Sequence, residues 1–373
     1  MLARTSSSVR SLPTRTLFRL DLNFIGTALI LAAIGCMAVY SATWFQGTPH
    51  FQRQIVWCMV GIALMVLFIV LDYHVYLDAS MILYGLCMAL LVYLVIWGKV
   101  TANVRSWIHI GAFQFQPSEF MKIFTALVLA KYFESNDSPY LNFRSFMMIV
   151  LIIGAPVALI IIQPDFGTAA SFFPLIAAAM YFGGIRARYW LVALLIVAIA
   201  IPSAWLLFLE PYQKERIMIF LDPERDPLGS GYQVTQAKIA IGSGGLFGKG
   251  FKEGTQARLE YLPAKHTDFI FAVIGEEWGF VGVVVVLGLF LFLILQAFFI
   301  SKQARDRSGT FLVIALISFF VFHIIINVAM QIGLLPTTGI PLPLISYGGS
   351  STMMFFIAIG LIANVDFRKY VNA

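Results

Sequence analysis

Stretches of about twenty apolar residues, each free or nearly free of charge, recur from one end of this chain to the other. Such a stretch crosses a bilayer as a helix. About 20 residues match the hydrocarbon thickness, and a helix satisfies its own backbone where no water can. The sequence predicts ten spans, over roughly residues 20–43, 52–71, 74–97, 117–133, 145–163, 166–183, 187–209, 268–300, 310–333 and 344–367. The fourth is short with a polar start, and the fifth and sixth meet at Gln163-Pro164-Asp165. Composition agrees: 60% of the 373 residues are hydrophobic and 12% are charged, against about 25% charged in soluble domains. The expected fold is an all-α polytopic membrane protein, one integral-membrane domain over residues 1–373.

Lys and Arg set the orientation. With a cytoplasmic N-terminus, the inner segments hold Arg4, Arg10, Arg15, Arg19, Lys131, Arg144, Arg186, Arg188, Lys302, Arg305, Arg307, Arg368 and Lys369. The short outer segments hold only Arg53, Lys99 and Arg105. The positive-inside rule then puts both termini in the cytoplasm. The net charge of +6 reports this topology and gives no reason to expect nucleic acid. Residues 1–19 read as a cytoplasmic tail before an uncleaved first span. Residues 210–267 form one long extracytoplasmic loop, too short and Gly-rich for a core of its own. Within it, Gln233–Ile241 predicts a short amphipathic helix. Gly242–Gly250 resembles a phosphate loop, but Ser243 stands where its first Gly belongs and Gly250 replaces the final Ser or Thr. Cys36, Cys58 and Cys87 fall inside apolar runs and read as small buried residues.

Ionisable residues in or beside spans are costly and therefore candidates for function. Asp268 opens an apolar run at the outer surface, just after His266 and Thr267. It can serve as the acid of a helix start capped by Thr267, as a general base, or as both. Glu276 and Glu277 follow along the same expected helix and point to different sides, so at least one should pair with a cation or polar backbone. Gln116-Pro117-Ser118-Glu119 opens the fourth span, with Lys122 at i+3 from Glu119. That pair is either a plain ion pair or part of an outer cavity in which Lys122 holds a phosphate. Asp165 lies in a polar break as a cap or a site residue. Pro336–Ser351 is a second break, whose irregular backbone needs protein or a wet cavity around it and which offers Ser346. Arg53 and Arg105 are further outer cations. No histidine spacing suggests zinc, and no G-x-S-x-G marks a serine nucleophile.

In order along the chain run FQPSE with Lys122, QPDFGT, DPLGSGYQ, KIAIGSGGLFGKG, GTQ, YLPAKHTDFIFAV and PLPLISYGGSS. Over nearly its full length the chain resembles the SEDS family of peptidoglycan polymerases (shape, elongation, division and sporulation), in the RodA branch rather than the FtsW branch. It departs at Ala264, where many relatives carry Glu, and at Phe166 and Trp278, which replace Leu. The resemblance implies glycosyl transfer from lipid II, the undecaprenyl-diphosphate disaccharide-pentapeptide, and a class B penicillin-binding transpeptidase as activating partner. It puts Asp268 on the family's essential aspartate, with Arg53, Arg105, Glu119, Lys122 and Asp165 as the outer polar site; His266 and Ser346 are added as substrate contacts. Asp268 would deprotonate the acceptor 4-hydroxyl, whose oxygen attacks C1 of the donor with inversion. That reaction needs a base and leaving-group stabilisation rather than a carboxylate nucleophile. A divalent cation, Mg or Mn, is compatible with the diphosphate, but no carboxylate cluster in the sequence demands one. Two other readings remain at this stage: a lipid II flippase or other transporter, and a scaffold of the elongation complex without activity. A transporter should show helix breaks in repeated halves near the midplane; the breaks here lie towards the outer side, and no repeat is visible.

Overall fold

A computed structural model describes residues 21–101, 104–111, 113–135, 142–184, 195, 198–199, 211–222, 230–262 and 264–371. The long helices are α1 (Leu22–Thr43), α2 (Pro49–Val70), α3 (Tyr73–Trp97), α4 (Pro117–Glu134) and α5 (Phe143–Ile162). After two shorter pieces, α6 (Phe166–Ala170) and α7 (Phe173–Phe182), come the loop helices α8 (Pro211–Leu221), α9 (Ser230–Ser243) and α10 (Thr255–Arg258). The chain then closes with α11 (Ile270–Gln303), α12 (Arg307–Gln331) and α13 (Gly349–Val371). A small antiparallel hairpin, β1 (Ile108–Ile110) and β2 (Phe113–Phe115), joins α3 to α4 and was not expected from the sequence.

Local chemistry sets the helix starts. Asp21, Asp72, Asn142, Asp165 and Asp306 each accept backbone N–H groups of the first turn that follows. Pro49 and Pro117 sit in the first turns of α2 and α4, where the missing N–H costs nothing. Among the described residues seven helices, α1, α2, α3, α5, α11, α12 and α13, are long and apolar enough to cross a membrane. They are not equivalent. The crossing window of α13 is 94% buried inside the protein, that of α3 only 22%. So α13 is a central post, packed along α2, while α2, α3 and α5 turn apolar sides outward to lipid.

Two expected spans change. The run 166–183 is broken at Ser171 and Phe172, because Pro174 has no N–H with which to continue the ladder of α6 and starts α7 instead. The run 187–209 lies largely outside the described residues. The run from 268 is interrupted at Gly279, whose φ of 66° and ψ of −163° fit glycine alone. Glu276 and Glu277 thus belong to a short segment ahead of the break, and the uninterrupted membrane helix starts at Phe280.

The loop 244–250 closes that interruption. Phe280 N–H and Val281 N–H donate to the carbonyls of Gly245 and Leu246, at 2.9 and 3.1 Å. In return Lys249 N–H and Gly250 N–H donate to the carbonyls of Glu276 and Glu277, both at 3.0 Å. Two N–H groups and two carbonyls at the break are thereby paired. The two acids fasten the loop further. Glu276 meets Lys249 Nζ at 2.7 Å and Thr255 Oγ1 at 2.9 Å, and Glu277 accepts from Ser41 Oγ of α1 at 2.6 Å. The expected pairing role of these acids is what the structure shows. The rejected phosphate loop is a backbone plug, and its glycines permit the close approach: a Cβ on Gly248 would lie 2.1 Å from the Glu277 carbonyl oxygen.

Candidate active site

Asp268 sits in a turn before α11, one residue outside the cap. The helix begins at Ile270 after Phe269, which supplies no side-chain cap, and Thr267 Oγ1 donates instead to the Ala264 carbonyl at 3.3 Å. Thr267 is therefore not the cap expected from the sequence. What holds Asp268 is a polar stripe on α12. Asn327 Nδ2 donates to the Asp268 carbonyl at 3.1 Å and to the Ile340 carbonyl at 2.8 Å. Asn327 Oδ1 accepts from Gln331 Nε2 at 2.6 Å, and Gln331 Oε1 accepts from Ala272 N–H in the first turn of α11 at 2.7 Å. Both side chains are fully buried. With its donors and acceptors paired, such a network is rigid. It ties Asp268 to the irregular segment before α13, where a Cβ on Gly339 would lie 3.9 Å from Asp268 Oδ2.

Asp268 opens into a cavity of about 410 Å³. Glu119, Lys122, Asp165 and His323 line it, with Gln116, Thr168, Thr338 and the Tyr347–Ser351 turn. Four of the eight expected site residues, Asp268, Glu119, Lys122 and Asp165, thus meet in one space although they come from three separated stretches of sequence. Lys122 is fully buried; its Nζ donates to Glu119 Oε1 at 2.9 Å and to His323 Nε2 at 3.2 Å. His323 Nδ1 faces the Pro341 carbonyl at 3.2 Å. The proton therefore belongs on Nδ1, and Nε2 is the acceptor for lysine. An ammonium has three N–H bonds, so Lys122 keeps one for a ligand in the cavity. Glu119 Oε2 is buried with no hydrogen-bond partner among the described residues. Asp165 is both cap and lining: Oδ1 accepts from Thr168 N–H at 3.1 Å, and Oδ2 from Gln116 Nε2 at 3.1 Å.

Burial pushes the Asp268 carboxyl up to about 6, against an opposing pull from the Arg216 guanidinium. Protein surrounds the residue on all sides, yet part of its surface stays accessible through the cavity. The carboxylate at neutral pH is thus a stronger base than an ordinary aspartate and is open to one small volume.

The other four expected residues lie elsewhere. Arg53 and Arg105 are exposed and do not line the cavity. Ser346 Oγ donates to the Thr267 carbonyl at 2.7 Å and accepts from Leu342 N–H at 2.8 Å, so it fastens the turn that carries Asp268. The ring of His266 lies 4.5 Å from that of His50, tilted by 39°, and burial pulls its pKa down to about 4, which keeps it neutral. His323, Asn327, Gln331, Gln116 and Arg216 are not among the site residues expected from the sequence. The first three did leave a signal: polar residues at i, i+4 and i+8 on one face of an otherwise apolar helix.

The cell cycle protein family FTSW_RODA_SPOVE matches residues 21–371. The chain belongs to the FtsW/RodA/SpoVE family. Within it, the chain is 36% identical to the peptidoglycan glycosyltransferase MrdB of Escherichia coli K12, over 94% of each chain. It is 33% identical to the peptidoglycan glycosyltransferase RodA of Treponema pallidum, over 92% of this chain and 96% of that one. To the stage V sporulation protein E of Bacillus subtilis it is 36% identical, over 93% and 96%. Among solved structures of the family, a chain of a peptidoglycan synthase complex superposes with a TM-score of 0.81 at 30% identity, covering 94% of this chain and 98% of that one. The rod shape determining protein RodA of Thermus thermophilus gives 0.71 at 27% identity, with the same coverage. The fold is that of the FtsW/RodA/SpoVE family throughout, and the chain is a multi-pass membrane protein.

Proposed function

We propose that this chain is a peptidoglycan glycosyltransferase that polymerises lipid II into β-1,4-linked glycan during cell elongation, with Asp268 as the general base. One observation carries the reading: a carboxylate with raised basicity opens into a cavity that also holds a buried lysine with an N–H to spare. The polymerase chemistry needs both. As the acceptor 4-hydroxyl attacks C1 of the donor sugar, Asp268 takes its proton, a step worth about 10²–10⁴ in rate. The C1–O bond to undecaprenyl diphosphate breaks, and the α-linked donor becomes a β-linked product in one displacement. Lys122, oriented by Glu119 and His323, offsets the charge on the departing diphosphate. Exposed Arg53 and Arg105 attract the diphosphate before it enters.

A cavity of about 410 Å³ is within the range of small-ligand sites, about 300–1,000 Å³, and admits the reacting sugars while the lipid tail stays in the bilayer. Among the described residues no three His, Cys, Asp or Glu side chains converge on a metal site; a divalent cation would enter on the diphosphate. The cavity faces the outside of the cytoplasmic membrane, and a class B penicillin-binding transpeptidase is the partner. The relatives named as glycosyltransferases and the similarity to a synthase-complex chain support this reading over a transporter or an inactive scaffold.

The test is polymerisation of lipid II by the purified protein with its transpeptidase. Asp268→Ala should lower the rate at least about 10²-fold while folding and partner binding persist. Retained polymerisation removes Asp268 from the mechanism; lipid translocation without polymerisation would favour the transporter.

A further inference from the structure

At the opposite end of the bundle from Asp268, a second cavity of about 220 Å³ is lined by Tyr73, His74, Arg305, Asp306, Arg368 and Lys369. It lies where α2 and α11 end, α3 and α12 begin, and α13 finishes. Five span ends meeting at one level put it at headgroup depth, on the face that the Lys and Arg distribution makes cytoplasmic.

Cations dominate its wall. The one carboxylate, Asp306, is already saturated. Its Oδ1 accepts from Gly309 N–H at 2.6 Å and Ser308 Oγ at 2.8 Å. Its Oδ2 accepts from the Tyr73 hydroxyl and faces His74 Nε2 at 3.1 Å. The other ring nitrogen of His74 faces Asp72 Oδ1 at 2.8 Å. The Arg368 guanidinium is fixed by one bond to the Val70 carbonyl at 2.8 Å, and its Nε is buried with only a 3.6 Å approach to Asp72. Lys369 reaches Gln303 Oε1 at 2.6 Å and Asp366. Arg305 completes the wall from the α11–α12 turn. Apolar side chains beside these span ends, Leu71, Val75 and Phe299, are 44%, 54% and 58% exposed and offer a bed for acyl chains.

We propose that this cavity binds the phosphate of an anionic phospholipid of the inner leaflet. Guanidinium and ammonium groups match phosphate oxygens, and basic pockets between span ends on the cytoplasmic side are suited to such headgroups. The site is separate from the polymerase cavity and independent of the reading given for it.

The test uses the full chain in nanodiscs of neutral phosphatidylcholine, with and without phosphatidylglycerol or cardiolipin, read by thermal unfolding and by lipid adducts in native mass spectrometry. Anionic lipid should raise the melting temperature and remain bound. Arg305→Gln with Lys369→Gln should weaken that binding about thirtyfold, about fivefold per cation, with the lipid-induced shift read against the double variant's own melting temperature in neutral discs. Lys302→Gln, on the same face but outside the cavity, should bind as the wild type does. An undiminished response in the double variant, or an equal loss in Lys302→Gln, overturns the proposal. A shift of the same size with millimolar inorganic phosphate in neutral discs overturns the lipid as source and assigns the site to soluble phosphate.

Discussion

At Asp268 stability and chemistry pull apart. Burial raises its carboxyl from 3.8 to about 6, so the folded protein holds the proton more tightly than the unfolded chain does. The folded state is then favoured below the lower value and loses that advantage as pH rises to the upper one. At neutral pH the ionised side chain costs on the order of 2–3 kcal/mol. Asp268→Asn should therefore raise the melting temperature at neutral pH while abolishing polymerisation. The base works only when deprotonated, so the rate should climb through about pH 6 and level off above it. Arg216→Gln removes a cation that favours the charged form, and the rising limb should move to higher pH. A pH–rate profile of both proteins checks this; an unmoved limb would show that Arg216 does not act on Asp268. None of this could be read from Asp268 alone, since the sequence identifies the acid but not its degree of burial.

At the scale of elements, the break in α11 and the plug that fills it form one unit. Gly279→Ala would put a Cβ 2.3 Å from the Gly248 nitrogen, at a φ of 66° that a side chain disfavours. That strain alone is about 1–3 kcal/mol, and displacement of the plug would unpair the backbone at the break. The variant should melt well below the wild type. Gly288→Ala in the same helix meets nothing within 4 Å and should be neutral or stabilising by up to about 1 kcal/mol. Equal melting temperatures for the two variants would show that the break is not required. The glycine run was visible in the sequence, but its partner lay some thirty residues on in a run that read as plain helix. A hydropathy pattern records which residues are apolar, not where one residue takes a backbone conformation only glycine tolerates.

For the molecule as a whole, the segment of α11 from Phe280 to Gln303 rises about 36 Å at 1.5 Å per residue, enough to cross the hydrocarbon and reach both headgroup layers. It separates the Asp268 cavity from the basic cavity at the other end. Phe247, 80% exposed on the plug, and Arg305, beside the basic cavity, mark the two faces. In a background without the three native cysteines, Phe247→Cys should react with a membrane-impermeant thiol reagent in intact cells. Arg305→Cys should react only after permeabilisation. The reverse pattern would turn the protein over and place Asp268 in the cytoplasm, where the proposed reaction could not proceed.

By itself the sequence determined that this chain is a bundle of membrane helices. The apolar runs cannot be hidden in any other way, and Asp, Asn and Pro at their edges state where most of them begin. It also offered Asp268, Glu119, Lys122 and Asp165 as candidates, because charge beside hydrocarbon is costly. Only the tertiary structure decided that these four share one cavity, that Arg53, Arg105, His266 and Ser346 stand outside it, and that Asn327 and Gln331 aim the aspartate. The reason is that convergence depends on which helix faces meet. The apolar surface that drives burial is similar on every span, and the choice between faces rests on a few buried hydrogen bonds between residues far apart in the chain.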